Sequence, residues 1–222
     1  MGIGDLVSVD AMTKRTAVLR RDAAENQERI LAAARSAFDE LGTAASFDEI
    51  ARRANVGVAT VFRRFPNRNQ LVTAVFERLL TETEPTIVTV TDDPWEDVAR
   101  SIRVTLELLS AHRGLLLLAQ EAGIIDLGML DRYTRAVDPL LERATNARVV
   151  RSDLLARDLA AVVLMALAVI HDGDPDQADR DRYLALLMEG LRPNKTPLPP
   201  PAQDDPAAIL RPLMAPTTKP KS

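Results

Sequence analysis

The stretch Ala45–Leu71, ASFDEIARRANVGVATVFRRFPNRNQL, decides how this chain is read. Ser46-Phe-Asp-Glu49 sets a capping hydroxyl three residues ahead of a carboxylate, the pattern that opens a helix. The inward positions of that helix are Phe47, Ile50, Ala51 and Ala54, spaced at three and four. Asn55 follows where the backbone must turn left-handed, a conformation asparagine tolerates next best after glycine. A short second helix runs from Val58 to Phe65, anchored by Val56, Val61 and Phe65, and Pro66-Asn67 ends it. Two helices across a three- or four-residue turn form the helix-turn-helix plan, here spanning about 46–65. The small Ala51 lets the helices cross closely, so that the second protrudes far enough to enter a groove about 12 Å wide. Ala59, Thr60, Arg63 and Arg64 then face away from the core. Arg68 opens the next helix, where a basic group and free N–H groups grip phosphate.

On either side the chain continues in helical periods, and nothing alternates like a strand. Ile30, Ala34, Ala37, Phe38 and Leu41 form one apolar stripe, with Gly42 as its stop. Residues 1–22 read as a loose, flexible arm carrying Lys14, Arg15, Arg20 and Arg21. A fourth helix is expected from Asn69 to about Thr83, and Pro85 with Asp92-Asp93-Pro94 marks a seam. Further helices follow from Pro94 to about His112, Gly114 to Ala122, and Leu127 to Ala147, the last kinked by Pro139. Asp153–His171 is apolar almost all round and must be covered on most sides; Asp176–Gly190 closes the series. Nine of the 14 prolines fall after Arg192, so 193–222 reads as a flexible, Pro-rich tail. The expected class is all-α, with a three-helix DNA-binding domain over 23–83 and a second helical domain over 84–192.

Glu28-Arg-Ile-Leu-Ala-Ala-Ala34, Phe38-x-x-x-Gly42, Ser46-x-x-Glu-Ile-Ala51 and Val56-Gly-x-Ala-Thr-Val-Phe-x-x-Phe65, followed by Asn67-Arg68, resemble the TetR family of transcriptional regulators. The resemblance covers about Asn26–Phe76, and its spaced residues are specific only jointly. It implies contacts to an operator in double-stranded DNA from Ser46, Val58, Ala59, Thr60, Phe62, Arg63, Arg64 and Arg68. Phe62 stands where the family usually has Tyr, Gly57 where a Ser or Thr cap is common, and Pro66 where Lys is frequent. At Val58 two readings stay open: partial burial on the stripe of Val61, Phe62 and Phe65, or methyl contact to a thymine. The family also implies a homodimer through the last two helices, and a small-molecule effector held by the second domain. Candidate pocket side chains are Trp95, His112, Leu116, Gln120, Met129, Tyr133 and Met165.

The 222 residues carry a net charge of −4, which by itself argues against nucleic acid. That total is an average over unlike halves. Residues 13–75 hold 11 Lys and Arg against 7 Asp and Glu, a local +4, and the rest of the chain carries −8. Phosphate meets the local charge, so the basic half is the DNA-facing one. With no cysteine and only His112 and His171, neither a metal site nor a thiol nucleophile is expected, and no cofactor motif appears. The N-terminus lacks a secretory pattern, and the longest apolar run, Leu159–Ile170, is too short to span a bilayer. A cytoplasmic, ligand-responsive regulator, most simply a repressor, is therefore expected. The alternatives are an all-α binding protein without DNA function and an all-α enzyme, for which no catalytic constellation is evident.

Overall fold

A computed structural model of the protein describes residues 4–173 and 177–201. Nine α-helices and no strand occur among the described residues. They are α1 (Gly4–Leu41), α2 (Phe47–Ala54), α3 (Val58–Arg64), α4 (Arg68–Ile87), α5 (Pro94–Ala111), α6 (Arg113–Glu121), α7 (Leu127–Asn146), α8 (Ala156–Gly173) and α9 (Gln177–Glu189). The chain divides into two compact units, Met1–Val75 and Phe76–Ser222. No described helix is long and apolar enough to cross a membrane.

In the first unit Ile30, Ala34, Ala37 and Phe38 of α1 pack with Ile50, Ala51 and Ala54 of α2 and Val61 of α3. Leu41, at the end of the expected stripe, is exposed instead. Beyond it Gly42 turns with φ +53° into a 3₁₀ turn over Gly42–Ala44, and glycine enters that left-handed region without steric cost. Helix α1 begins at Gly4, so the stretch read as a loose arm over 1–22 is helical backbone from that residue onward. The reason lies in composition. Between Gly4 and Gly42 the sequence holds neither Gly nor Pro and is rich in Ala, Arg, Leu and Glu.

One proline expectation also changes. Pro85 does not end α4; it lies in the last turn, and Val88 N–H still donates to Glu84 O at 3.1 Å. A proline so near a helix end removes one backbone bond and leaves little helix beyond it to disrupt. Pro94 does open α5 as its sequence context predicts, and the Asp93 carboxylate accepts from Trp95 N–H at 3.0 Å and Glu96 N–H at 3.1 Å.

The core of the second unit joins α5, α7, α8 and α9 through residues such as Val98, Ile102, Val137, Leu140, Leu159 and Met188. Beside it lies a wholly buried carboxylate, Asp97. Its oxygens accept from Thr91 N–H and hydroxyl at 2.8–3.0 Å, and from Arg100 and Arg143 at 2.6 Å each. Burial pushes this carboxyl up, yet the Thr91 and arginine donors together outweigh it and hold Asp97 down at about 2. Arg143 also donates to Thr91 O at 2.9 Å, so one carboxylate ties α7, α5 and the segment before α5 together.

The first residues of the Pro-rich tail are held rather than free. Arg151 bonds Asp153 through two donors and reaches Thr196 O at 2.7 Å, while Leu198 N–H donates to Asp153 at 2.7 Å. Arg192 lies over the Trp95 ring at 3.6 Å. The remainder of the expected tail, from 202 on, lies outside the described residues.

Candidate nucleic-acid interface and apolar cavity

The turn between α2 and α3 has the chemistry its sequence predicts. Ser46 caps α2 by accepting from Glu49 N–H at 3.2 Å, and Asn55 ends it in the left-handed conformation with φ 52°. Gly57 precedes α3 without offering a side-chain cap. Val61 and Phe65 are buried and seat α3 on the core, so the opposite side of the helix is offered to solvent. Ala59, Arg63 and Arg64 are exposed there, with Thr60 at the margin. Val58 is 37% exposed and Phe62 52%, so Val58 is partly covered yet still reaches solvent, which both readings of it allow. Phe62 keeps one face on Phe47, with ring centroids 4.7 Å apart. Arg63 bonds Thr60 Oγ1 at 3.0 Å along its own helix, and Arg64 donates to Gln27 of α1.

Two arginines do something their sequence positions did not reveal. Arg52-Arg53 reads as a solvated face, and Arg52 is exposed and pairs with Glu49. Arg53 is mostly covered and fans out to Glu49 at 2.7 Å, Ser36 at 3.1 Å and Glu40 at 2.9 Å, bracing α2 against α1. The two arginines together bring Glu49 down to about 2. Arg68 sits half-buried 5.3 Å over the Phe38 ring and donates to Ala45 O at 2.6 Å and Gly42 O at 2.9 Å. It thereby satisfies carbonyls of the turn that leads into α2. The i, i+3 and i, i+4 spacing of Glu49 with Arg52 and Arg53 was legible. The α1 partners and the turn carbonyls were not, because they are distant in sequence.

The second unit contains an apolar cavity of about 100 Å³. Of the candidate pocket residues, Met129 and Tyr133 line it, joined by Phe76, Thr105, Leu109, Leu130, Arg132 and Val163 among others. The other five lie elsewhere. Trp95 packs on the core beneath Arg192, His112 ends α5, Leu116 is buried on α6 with Gln120 near that helix's end, and Met165 is exposed on α8. Apolar or aromatic identity at helical spacing does not separate a cavity wall from core, because both present the same periodicity.

Residues 30–75, which hold α1 from Ile30, the turn and the outward face of α3, match the model of the bacterial regulatory proteins of the tetR family. The likeness extends past that domain to whole chains. A TetR transcription regulatory protein from Mycobacterium vanbaalenii is 27% identical, with a TM-score of 0.60 over 78% of this chain and 99% of that one. Residues 30–75 therefore form a TetR-type N-terminal domain. A TetR regulator from Streptomyces coelicolor is 26% identical, with a TM-score of 0.59 over 76% of this chain and 99% of its own. LfrR of Mycobacterium smegmatis, solved in complex with proflavine, shares the fold at 23% identity and a TM-score of 0.53, covering 79% of this chain and 99% of its own. No curated protein matches the sequence. The similarities support a DNA-binding transcriptional regulator, and α3 lies within the matched domain.

Proposed function

We propose that this protein is a cytoplasmic TetR-type repressor that binds a palindromic operator as a homodimer and leaves it when a small molecule fills the second unit. The observation that carries this reading is the outward face of α3, where Val58, Ala59, Thr60, Phe62, Arg63 and Arg64 stand clear while Val61 and Phe65 hold the helix. Arginines on such a face reach bases or phosphates, and the Val58 methyls suit a thymine methyl. Phe62 lacks the hydroxyl that a Tyr there offers to phosphate, and the two arginines that follow it restore that attraction. Ser46 is exposed and caps α2 with its hydroxyl.

The homodimer rests on apolar side chains left uncovered on the last two helices. Tyr183 and Leu186 lie three residues apart on α9, the latter 62% exposed, and Met165 is 48% exposed on α8. Two-fold pairing through them supplies two recognition helices for half-sites about 34–36 Å apart. The apolar cavity and the proflavine bound by LfrR support a small-molecule effector. Such a ligand acts only through unequal affinity for the DNA-bound and free states.

Selection from random duplex DNA followed by gel shift at graded salt tests this. A palindromic winner, bound with a steep salt slope and well above random DNA, is expected. Affinity no better than for random duplex and flat with salt would sink the reading. Arg68 enters as a positioning residue: Arg68→Ala weakens operator binding, and Arg68→Lys fails to restore it, because an ammonium cannot reproduce the two-pronged bond to Gly42 and Ala45. Full rescue by Lys in the same gel shift would identify a simple phosphate contact instead.

A further inference from the structure

The wall of the cavity in the second unit is almost wholly hydrocarbon, with four polar side chains on it. Two of them, Glu84 and Arg132, are partly exposed and bond each other at 2.6 Å, so they cancel in charge and mark the solvent side of the pocket. A third, Thr105, is buried and gives its proton to Ser101 O at 2.7 Å within its own helix. The fourth is Tyr133. Its hydroxyl oxygen is buried and makes no hydrogen bond of good geometry among the described residues, although Thr105 lies close enough to act on it. Burial pushes the phenol well above the usual tyrosine range against a smaller opposing pull from Thr105, so it remains a protonated donor at any physiological pH.

A buried donor without a well-placed acceptor is costly, so its presence in a ligand-sized space favours a ligand that supplies a better one. We infer that the cavity takes a neutral, mainly hydrocarbon molecule bearing one hydrogen-bond acceptor, a ketone, ester or alcohol in kind, with that acceptor on the Tyr133 hydroxyl. This rests on the effector reading above and gives that site a ligand class. Charged ligands are disfavoured by the same wall. An anion finds Arg132 already paired with Glu84, a cation finds Glu84 already paired with Arg132, and neither finds a free counter-charge on the lining. About 100 Å³ is enough for the apolar end of such a molecule, with the remainder lying toward the Glu84–Arg132 side.

Calorimetric titration of the full-length protein with 2-nonanone, nonanoate and nonylamine tests the class. The ketone is expected to bind at least about tenfold more tightly than either charged analogue. Tyr133→Phe, which keeps the ring and so the packing, should weaken the ketone roughly two- to tenfold and leave propylbenzene, which has no acceptor, unchanged. The inference is overturned if a charged analogue binds best, if Tyr133→Phe leaves the ketone unaffected, or if the ketone does not bind. Gel shift on the selected operator with the same three molecules separates this from the effector reading. Ketone binding without operator release leaves the ligand class standing and removes the effector role. Release by a charged analogue alone does the reverse.

Discussion

A chain carrying both Arg63→Ala and Arg64→Ala will lose its operator while keeping its fold. Each arginine is exposed and makes one side-chain hydrogen bond that the structure records, Arg63 to Thr60 and Arg64 to Gln27. Removing such surface contacts shifts stability by no more than about 0.5 kcal/mol. On DNA the balance is different. A direct arginine contact contributes about 1–3 kcal/mol, so two lost per subunit weaken binding by at least ~30-fold. If both arginines neutralise phosphates, the slope of log affinity against log salt also falls by about two per subunit. Gel shift across a salt series, beside a thermal melt of the same variant, measures both. A variant that binds within a factor of two of the parent, with the same slope, would show that α3 does not meet DNA through these groups.

The second large effect lies in the second unit. Asp97→Ala is expected to destabilise the protein by about 3 kcal/mol, near the low end of the range for breaking a buried charge pair. The low end applies because Arg100 and Arg143, stranded by the substitution, are each partly exposed and can recover water. The fully buried carboxylate meets Thr91, Arg100 and Arg143 at once, so no single neighbouring change compensates. Acid should reveal the same lock. The folded-state pKa is lowered from 3.8 to about 2, so its contribution is complete above about pH 4 and fades as pH falls toward 2. Chemical denaturation at pH 7 and at successively lower pH reads both effects. In Asp97→Asn this part of the acid dependence should vanish, and an unchanged acid profile in that variant would remove Asp97 as its source.

What could be read from sequence divides along a physical line. The α2–turn–α3 unit was legible down to single residues, because each signal acts within a few positions of itself. Ser46 caps the N–H of Glu49, and Asn55 takes the left-handed turn. The spacing of Ile50, Ala51, Ala54, Val61 and Phe65 marks the buried side. The same local logic placed Pro94 at the start of α5. It missed the helical backbone over residues 4–22 and the helix around Pro85, where a basic composition and a lone proline were given more weight than uninterrupted helix propensity.

The candidate pocket was legible at Met129 and Tyr133 and obscure elsewhere. A cavity is defined by what fails to fill a space, and no residue's identity records that. The 3.6-residue spacing told which face of a helix was buried, never which neighbouring helix stopped short of it.

By itself, then, the sequence determined that this protein is all-helical, that its basic N-terminal half carries a helix-turn-helix, and that Arg63 and Arg64 stand on the outer side of the second helix. Those are outcomes of capping, backbone handedness and a 3.6-residue period, forces that act within one or two turns. Only the tertiary structure decided which charged and polar groups are consumed inside the protein. Arg53 reaches Glu40, Arg68 reaches Gly42, Asp97 receives Arg143, and Leu198 is held by Asp153, over separations of 13, 26, 46 and 45 residues. Such pairings depend on where the helices pack, so a side chain free to meet phosphate and one already committed to a carbonyl look alike until the chain has folded.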